Sequence, residues 1–228
     1  MSLLVDGFKE AIELLISGND SVYSAIIVTI TVSSWSILIS LILGLPLGFL
    51  LGYYQFKGKT VIKTIVDTFL AFPTVVIGLL VYTTLSQAGA FGEYNLLFTQ
   101  KAIIIGQIFL GLPIIIALTA AQVESTDKRL YLSLKGLGAK PYQILLTTLV
   151  EARFGLMTAA MTAYGRIITE IGISMMVGGN IKYHTRTITT AISLETGKGE
   201  FETGIALGLV LFIVALMVNI ALSILKRR

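Results

Sequence analysis

Arg166 and Glu170 stand four residues apart in an otherwise apolar run, which puts opposite charges on one face of a helix. Ionisable side chains at membrane depth are costly and count as functional by default. Two kinds of chemistry are open to this pair. Arg166 can make a transient contact with an oxyanion, or Arg166 and Glu170 can neutralise each other as an intramembrane clamp for helix packing or a dimer interface. The clamp is favoured, because a permanent strong cation site would trap a dianion rather than pass it. Phe72, Pro73, Thr74, Val75 and Val76, in the run FPTVVIGL, and Pro113, after Gly111, form a second set of candidates. Proline in a span kinks it and can free backbone to line a cavity, and an apolar collar blocks ions by dewetting. Thr185 and Thr187 form a third, in a polar segment with Thr189, Thr190, Lys182, His184 and Arg186. Hydroxyls and dispersed charge suit brief handling of an oxyanion, with a solvated loop as the competing account.

Covalent and metal chemistry find no support. The chain has no cysteine and one histidine, and it carries no P-loop pattern and no Ser-His-Asp set that fits one membrane face. It is not expected to be an enzyme.

The elements that must hold these residues are membrane helices. Of 228 residues, 55% are hydrophobic and 13% charged, and the mean hydropathy is +0.87. Soluble domains average roughly 25% charged residues, so this composition reads as one all-α, polytopic membrane domain over residues 1–228. Residues 4–17 put Leu4, Phe8, Ile12 and Leu15 opposite Asp6, Lys9, Glu10 and Glu13, the pattern of an N-terminal interfacial helix. Apolar runs then predict five spans, at about 26–54, 65–85, 102–121, 154–177 and 205–225, the third interrupted at Gly111 and Pro113. Gly44, Gly48 and Gly52 form a small-residue stripe that marks close helix packing.

Between the third and fourth spans lies a basic amphipathic insert, residues 127–142. Leu130, Leu134 and Leu137 recur at helical spacing beside Lys128, Arg129 and Lys135, Gly136 and Gly138 break the helix, and Pro141 starts another. Orientation follows from the basic residues. With this insert, the loop of Lys57, Lys59 and Lys63, and the tail Lys226, Arg227 and Arg228 on one side, the other keeps only Lys9, Lys101, Lys182, Arg186 and Lys198. The positive-inside rule then places the C-terminus in the cytoplasm and the N-terminus outside.

With that topology the insert resembles the coupling region of permease subunits of ABC importers. Leu137, Gly138 and Ala139 match the core of the family's signature, while Leu132, Ser133 and Leu134 stand where Glu-Ala-Ala is usual and Glu151 replaces the final Pro. FPTVVIGL, GLPI (Gly111 to Ile114) and RIITEIG (Arg166 to Gly172) resemble span motifs of molybdate/sulfate-type binding-protein-dependent permeases. VEARFG, MMVGGNI, TRTITTAISLET and KGEFE look closer to the tungstate branch. The resemblance implies a homodimeric alternating-access pathway in a prokaryotic plasma membrane. Two ATP-binding subunits would hold ATP and Mg, and an extracytoplasmic binding protein would deliver the anion. No cofactor or metal is expected on this chain, and its surroundings are lipid, with no nucleic acid. Leu130, Ser133, Leu134, Lys135, Gly136, Leu137, Gly138, Ala139 and Pro141 would then engage the ATPase. The same machine carrying molybdate, sulfate or another small anion is the near alternative. An ATP-independent secondary transporter or channel is the distant one, and it would need inverted repeats or clustered intramembrane charges.

Overall fold

The computed structural model describes residues 2–16, 18–125 and 133–227, and among these ten α-helices, a further helical turn over 133–136 and one 3-10 turn occur without a strand. Of the insert, residues 127–132, Leu130 among them, lie outside the described set.

The central pair is α2 (Asp20–Tyr53) and α5 (Gln100–Glu124). Asn19 starts α2 by accepting from the Ser21 and Val22 backbone amides at 3.1 and 3.4 Å. The helix then runs 34 residues and passes through Pro46 without a break. Along it the glycine stripe seats α5. A Cβ on Gly48 would stand 2.6 Å from Thr119 Cβ and 2.7 Å from the Ile116 carbonyl, and one on Gly52 would stand 2.6 Å from the Ala120 carbonyl. Only hydrogen at these positions lets the two backbones meet.

Each of the next apolar runs is divided. α3 (Lys59–Leu70) and α4 (Thr74–Leu85) meet at 97° across the Ala71–Pro73 break, so the span expected over 65–85 is two helices rather than one kinked helix. Pro73 has φ −63° and ψ 123°, an extended conformation that stops one helix and opens the next. α6 (Pro141–Glu151) bends by 68° into α7 (Arg153–Ile168), and α8 (Gly172–Gly178) follows a second break at residues 169–171. The apolar run over 154–177 is therefore also two helices. α5 behaves in the opposite way. It continues through Gly111 and Pro113 where an interruption was expected, because Gly111 is used for packing: a Cβ there would meet Ile167 Cδ1 at 2.7 Å and Ser40 Oγ at 3.0 Å.

α9 (Ile188–Lys198) ends at Gly199, φ 89°, and α10 (Phe201–Arg227) closes the described chain. α1 (Ser2–Ile16) packs along the start of α10, where Thr203 Oγ1 donates to Glu10 Oε1 at 2.8 Å. Three helices are long and apolar enough to cross a membrane, and the number rises to five if each bent pair counts as one span. Two apolar cores hold the bundle. One joins Val28 and Val32 of α2 to Ile77 and Val81 of α4, Ile103 of α5 and Ile173 of α8. The other joins Val22 of α2 to Tyr164 and Ile168 of α7, Ile188 of α9 and Val210 of α10.

The glycine contacts set a test of this packing. Gly48→Val forces α2 and α5 apart and should cost at least about 1–3 kcal/mol. Gly197→Ala, in open space on α9, should be neutral or stabilising by up to about 1 kcal/mol. Thermal unfolding of the purified protein in detergent measures both.

Candidate functional site

The two breaks lie against each other. Around the position of a Cβ on Gly172, Val75 Cγ2 lies at 3.1 Å and Thr74 Oγ1 and Glu170 Oε1 each at 3.3 Å. The start of α4 and the start of α8 therefore share one small volume, and Gly172 is what allows the approach.

A helix start leaves its first backbone N–H groups without intrahelical partners and carries a partial positive charge. At α8 the deficit is met by Glu170. Its Oε1 accepts from the Ile173 amide at 3.2 Å, and its Oε2 pairs with Arg166 Nη1 at 3.2 Å. Its own backbone carbonyl accepts from Thr189 Oγ1 at 3.0 Å. The Glu170 side chain is 2% exposed and that of Arg166 46%, so the carboxylate is structural while the guanidinium faces open space. Arg166 ends α7, where a cation also suits the helix dipole. At α4 the start has no side-chain cap. Around it Val75, Val76, Ile171 and Met175 are exposed and Phe72 and Thr74 are half-buried, so the paired breaks present an apolar rim beside the Arg166 guanidinium.

Phe72, Pro73, Thr74, Val75 and Val76 thus share this place with Arg166 and Glu170. Pro113 does not join them through any break of its own. It sits half-buried in the continuous α5, whose neighbouring Gly111 and Ile115 pack on α7 and α2. Thr185 and Thr187 are buried, at 0% and 2% exposure, rather than solvated. Thr185 Oγ1 donates to the Gly178 carbonyl and accepts from the Ile181 amide, while Thr187 Oγ1 caps α9 by accepting from the Thr190 amide at 3.2 Å. Thr29 Oγ1 accepts from the Ile188 amide at 2.9 Å. These hydroxyls seal the chain where it turns from α8 to α9.

Two features escaped sequence reasoning. Exposed threonines line both helices that lead to the breaks: Thr60, Thr64 and Thr68 on α3, and Thr158 and Thr162 on α7, with Thr169 capping its end. Thr64, Thr68, Thr158, Thr162 and Thr169 each donate to the carbonyl four residues back. The spacing of four was the legible signal. The second is Glu124, which pairs with Lys59 at 2.9 Å and Lys63 at 2.7 Å. Its partners lie in another helix, which no local pattern reveals.

At this basic end the insert resumes with a helical turn over 133–136. Ala139 N donates to the Leu134 carbonyl and Gly138 N to the Lys135 carbonyl, both at 3.0 Å, and Gly138 has φ +75°. This is a Schellman stop with glycine in the left-handed position. Ser133, Lys135, Gly136 and Leu137 are exposed, Leu137 at 84%, whereas Leu134 and Ala139 are half-buried. Pro141 then takes the first position of α6, and Gln143 Oε1 accepts from the Lys140 amide at 2.7 Å. At the opposite end, loops 86–99 and 179–187 are tied together. Phe98 N donates to the Val177 carbonyl at 2.8 Å and Gln100 Nε2 to the His184 carbonyl at 2.9 Å. Asn95, Phe98, Asn180 and Tyr183 all take positive φ there, and Phe91, Tyr94 and Tyr183 are exposed.

Known proteins share this arrangement. The family described as binding-protein-dependent transport system inner membrane component matches residues 44–228. The tungstate uptake system permease protein TupB of Campylobacter jejuni is 51% identical over 227 residues, covering 100% of this chain and 95% of its own. TupB of Peptoclostridium acidaminophilum is 35% identical, with 96% of each chain covered. Among solved structures, a bacterial alginate ABC transporter, in complex with a periplasmic protein bound to an alginate pentasaccharide, superposes with a TM-score of 0.78. It covers 97% of this chain and 86% of that one at 20% identity, a likeness of fold.

The asymmetry of the ion pair is measurable by thermal unfolding. Glu170→Ala strands the Ile173 amide and should cost about 1–3 kcal/mol, while Glu170→Gln, which keeps an acceptor, should cost less. Arg166→Ala, removing the exposed partner, should cost no more than about 1 kcal/mol. Equal losses for Arg166→Ala and Glu170→Ala would show the guanidinium to be structural as well.

Proposed function

The chain belongs to the family of binding-protein-dependent transport system inner membrane components, and on that footing we propose that it is the transmembrane subunit of a tungstate ABC importer. The observation that carries this reading is the 51% identity, end to end, with a tungstate uptake permease. Two copies enclose the pathway, a binding protein delivers tungstate outside, and a separate pair of ATPase subunits drives the cycle with ATP and Mg. The relatives named for tungstate uptake and the fold likeness to an ABC transporter caught with its periplasmic protein support these partners.

The geometry fits each task. Lys57, Lys59 and Lys63 follow the end of α2, and Lys135 and Lys140 follow the end of α5, which lies beside it; the positive-inside rule assigns this end to the cytoplasm, with the N-terminus outside. There the exposed Leu137, held out by the Gly138 stop, offers an apolar knob for a groove of the ATPase. At the outer end the tied, aromatic loops offer a preformed seat for the binding protein. Between them the paired breaks form the gate. Val75, Val76 and Phe72 from each copy exclude water when apposed, and separating α3 from α4 at Pro73 opens the route. Arg166 attracts the dianion to the gate, and its pairing with Glu170 keeps that attraction shallow enough to release it. The chain itself contributes no hydrolytic group.

Two measurements test the reading. Vesicles holding this chain with its ATPase and binding protein should take up tungstate only with ATP, and excess molybdate or sulfate should compete poorly. Uptake without ATP would overturn the importer, and equal displacement by molybdate would overturn the tungstate assignment while leaving the machine. Gly138→Val cannot hold the left-handed turn without a cost of roughly 1–2 kcal/mol. It should abolish ATPase association, read by co-purification, while the protein still inserts in the membrane.

A further inference from the structure

Lys59 and Lys63 occupy the first turns of α3, where the helix dipole disfavours cations, and no acid stands in that turn to offset them. The explanation lies in two other helix ends. Lys59 Nζ donates to the Gly52 carbonyl at 3.1 Å, in the last turn of α2, and pairs with Glu124 Oε1 at 2.9 Å, in the last turn of α5. Lys63 Nζ takes the other oxygen of Glu124 at 2.7 Å. The Lys59 side chain is 11% exposed, Glu124 31% and Lys63 36%, so the triad has one buried lysine and one half-open lysine on a shared carboxylate. It joins the C-terminal ends of the central pair to the start of α3.

Beyond the triad the packing of α3 on α5 is incomplete. A gap of about 200 Å³ separates Lys63, Val66 and Asp67 of α3 from Ala117, Ala120 and Ala121 of α5. Ile62, Ile65 and Phe69 are exposed. At its far end α3 meets the Ala71–Pro73 break, and only one described residue, Ser125, follows Glu124 before the insert. α3 is thus a short lever with an ionic pin at the root of the insert and the gate at its other end.

We propose that Glu124, pinned to Lys59 and Lys63, is the positioning residue through which movement of the cytoplasmic insert turns α3 and opens the gate at Pro73. The role rests on the importer reading for its driving force, whereas the pin itself does not. When the insert is displaced, Glu124 moves with the end of α5, and two charge-assisted contacts oblige α3 to follow. The gap beneath α3 gives it room to turn without breaking the α2–α5 contact.

Two experiments separate the pin from the importer. In the first, hydrogen exchange is followed in the purified full-length chain in lipid nanodiscs, which needs no partner. Glu124→Gln should speed exchange of α3 amides by about tenfold while the middle of α2 and α5 stays unchanged, and Glu124→Asp should restore protection. Unchanged exchange in α3, or loss of protection throughout the bundle, overturns the proposal. In the second, vesicles carrying the assembled importer are assayed for tungstate uptake and ATP hydrolysis together. Glu124→Gln should lower uptake per ATP hydrolysed by about tenfold, with hydrolysis itself within about twofold of wild type, and Glu124→Asp should recover the ratio. A wild-type ratio in Glu124→Gln, or parallel loss of both activities, overturns the transmission role. Failure of the wild-type chain to transport falls on the importer reading instead, and the exchange result still decides the pin.

Discussion

A helix that breaks inside hydrocarbon strands backbone groups that no water can satisfy, so a break survives only where protein atoms close it. That constraint organises this molecule. The break before α8 is closed by the Glu170 carboxylate on the Ile173 amide and by the Thr189 hydroxyl on the Glu170 carbonyl. Thr189 is held in turn by the α9 start, where Thr187 and Thr190 satisfy each other's backbone, and Thr29 of α2 closes the Ile188 amide. Glu170 therefore sits at the head of a chain of contacts that fixes α8, α9 and α2 together. The break before α4 is sealed differently. Proline removes one donor outright, and Gly172 lets the start of α4 approach the already closed α8.

The consequence is a division of labour between two charges that look equivalent as letters. Glu170 is consumed by the fold, while Arg166 keeps nearly half its surface open. The same holds for threonine. Those at 185, 187, 189 and 190 are buried and spent on sealing turns, while those on α3 and α7 are exposed. An exposed threonine that donates to a carbonyl four residues back spends its proton within the helix and leaves its oxygen open as an acceptor.

What the sequence revealed follows from how local each signal is. The apolar runs, the Gly44-Gly48-Gly52 stripe, the stop at Gly138 and the start at Pro141 each act through neighbours in the chain or through simple periodicity, and each was legible. The break at Pro73 was visible as a kink, but neither its 97° nor its contact with Gly172, almost a hundred residues on, could be read from local pattern. The break at 169–171 has no proline to announce it and is made by a side-chain cap. Conversely Pro113 looks like a breaker and is not one, since α5 is held straight on both sides by its packing against α2 and α7. The polar composition of residues 180–190 suggested hydroxyls open to an oxyanion or to solvent, because composition cannot tell a hydroxyl that is free from one that meets a carbonyl. The Lys59–Glu124–Lys63 triad spans more than sixty residues, and its lysines had registered only as orientation signals.

Among the described residues, the four non-glycine residues at positive φ, Asn95, Phe98, Asn180 and Tyr183, all lie in the tied loops at one end of the bundle. Left-handed backbone in an aromatic residue is kept only where the surroundings over-determine it. The conformational disorder of these loops has therefore been removed during folding. A soluble protein landing there meets a surface that needs no further ordering, so little of the association free energy is lost to freezing it. Encounters at this face can be short and frequent without being weak in specificity.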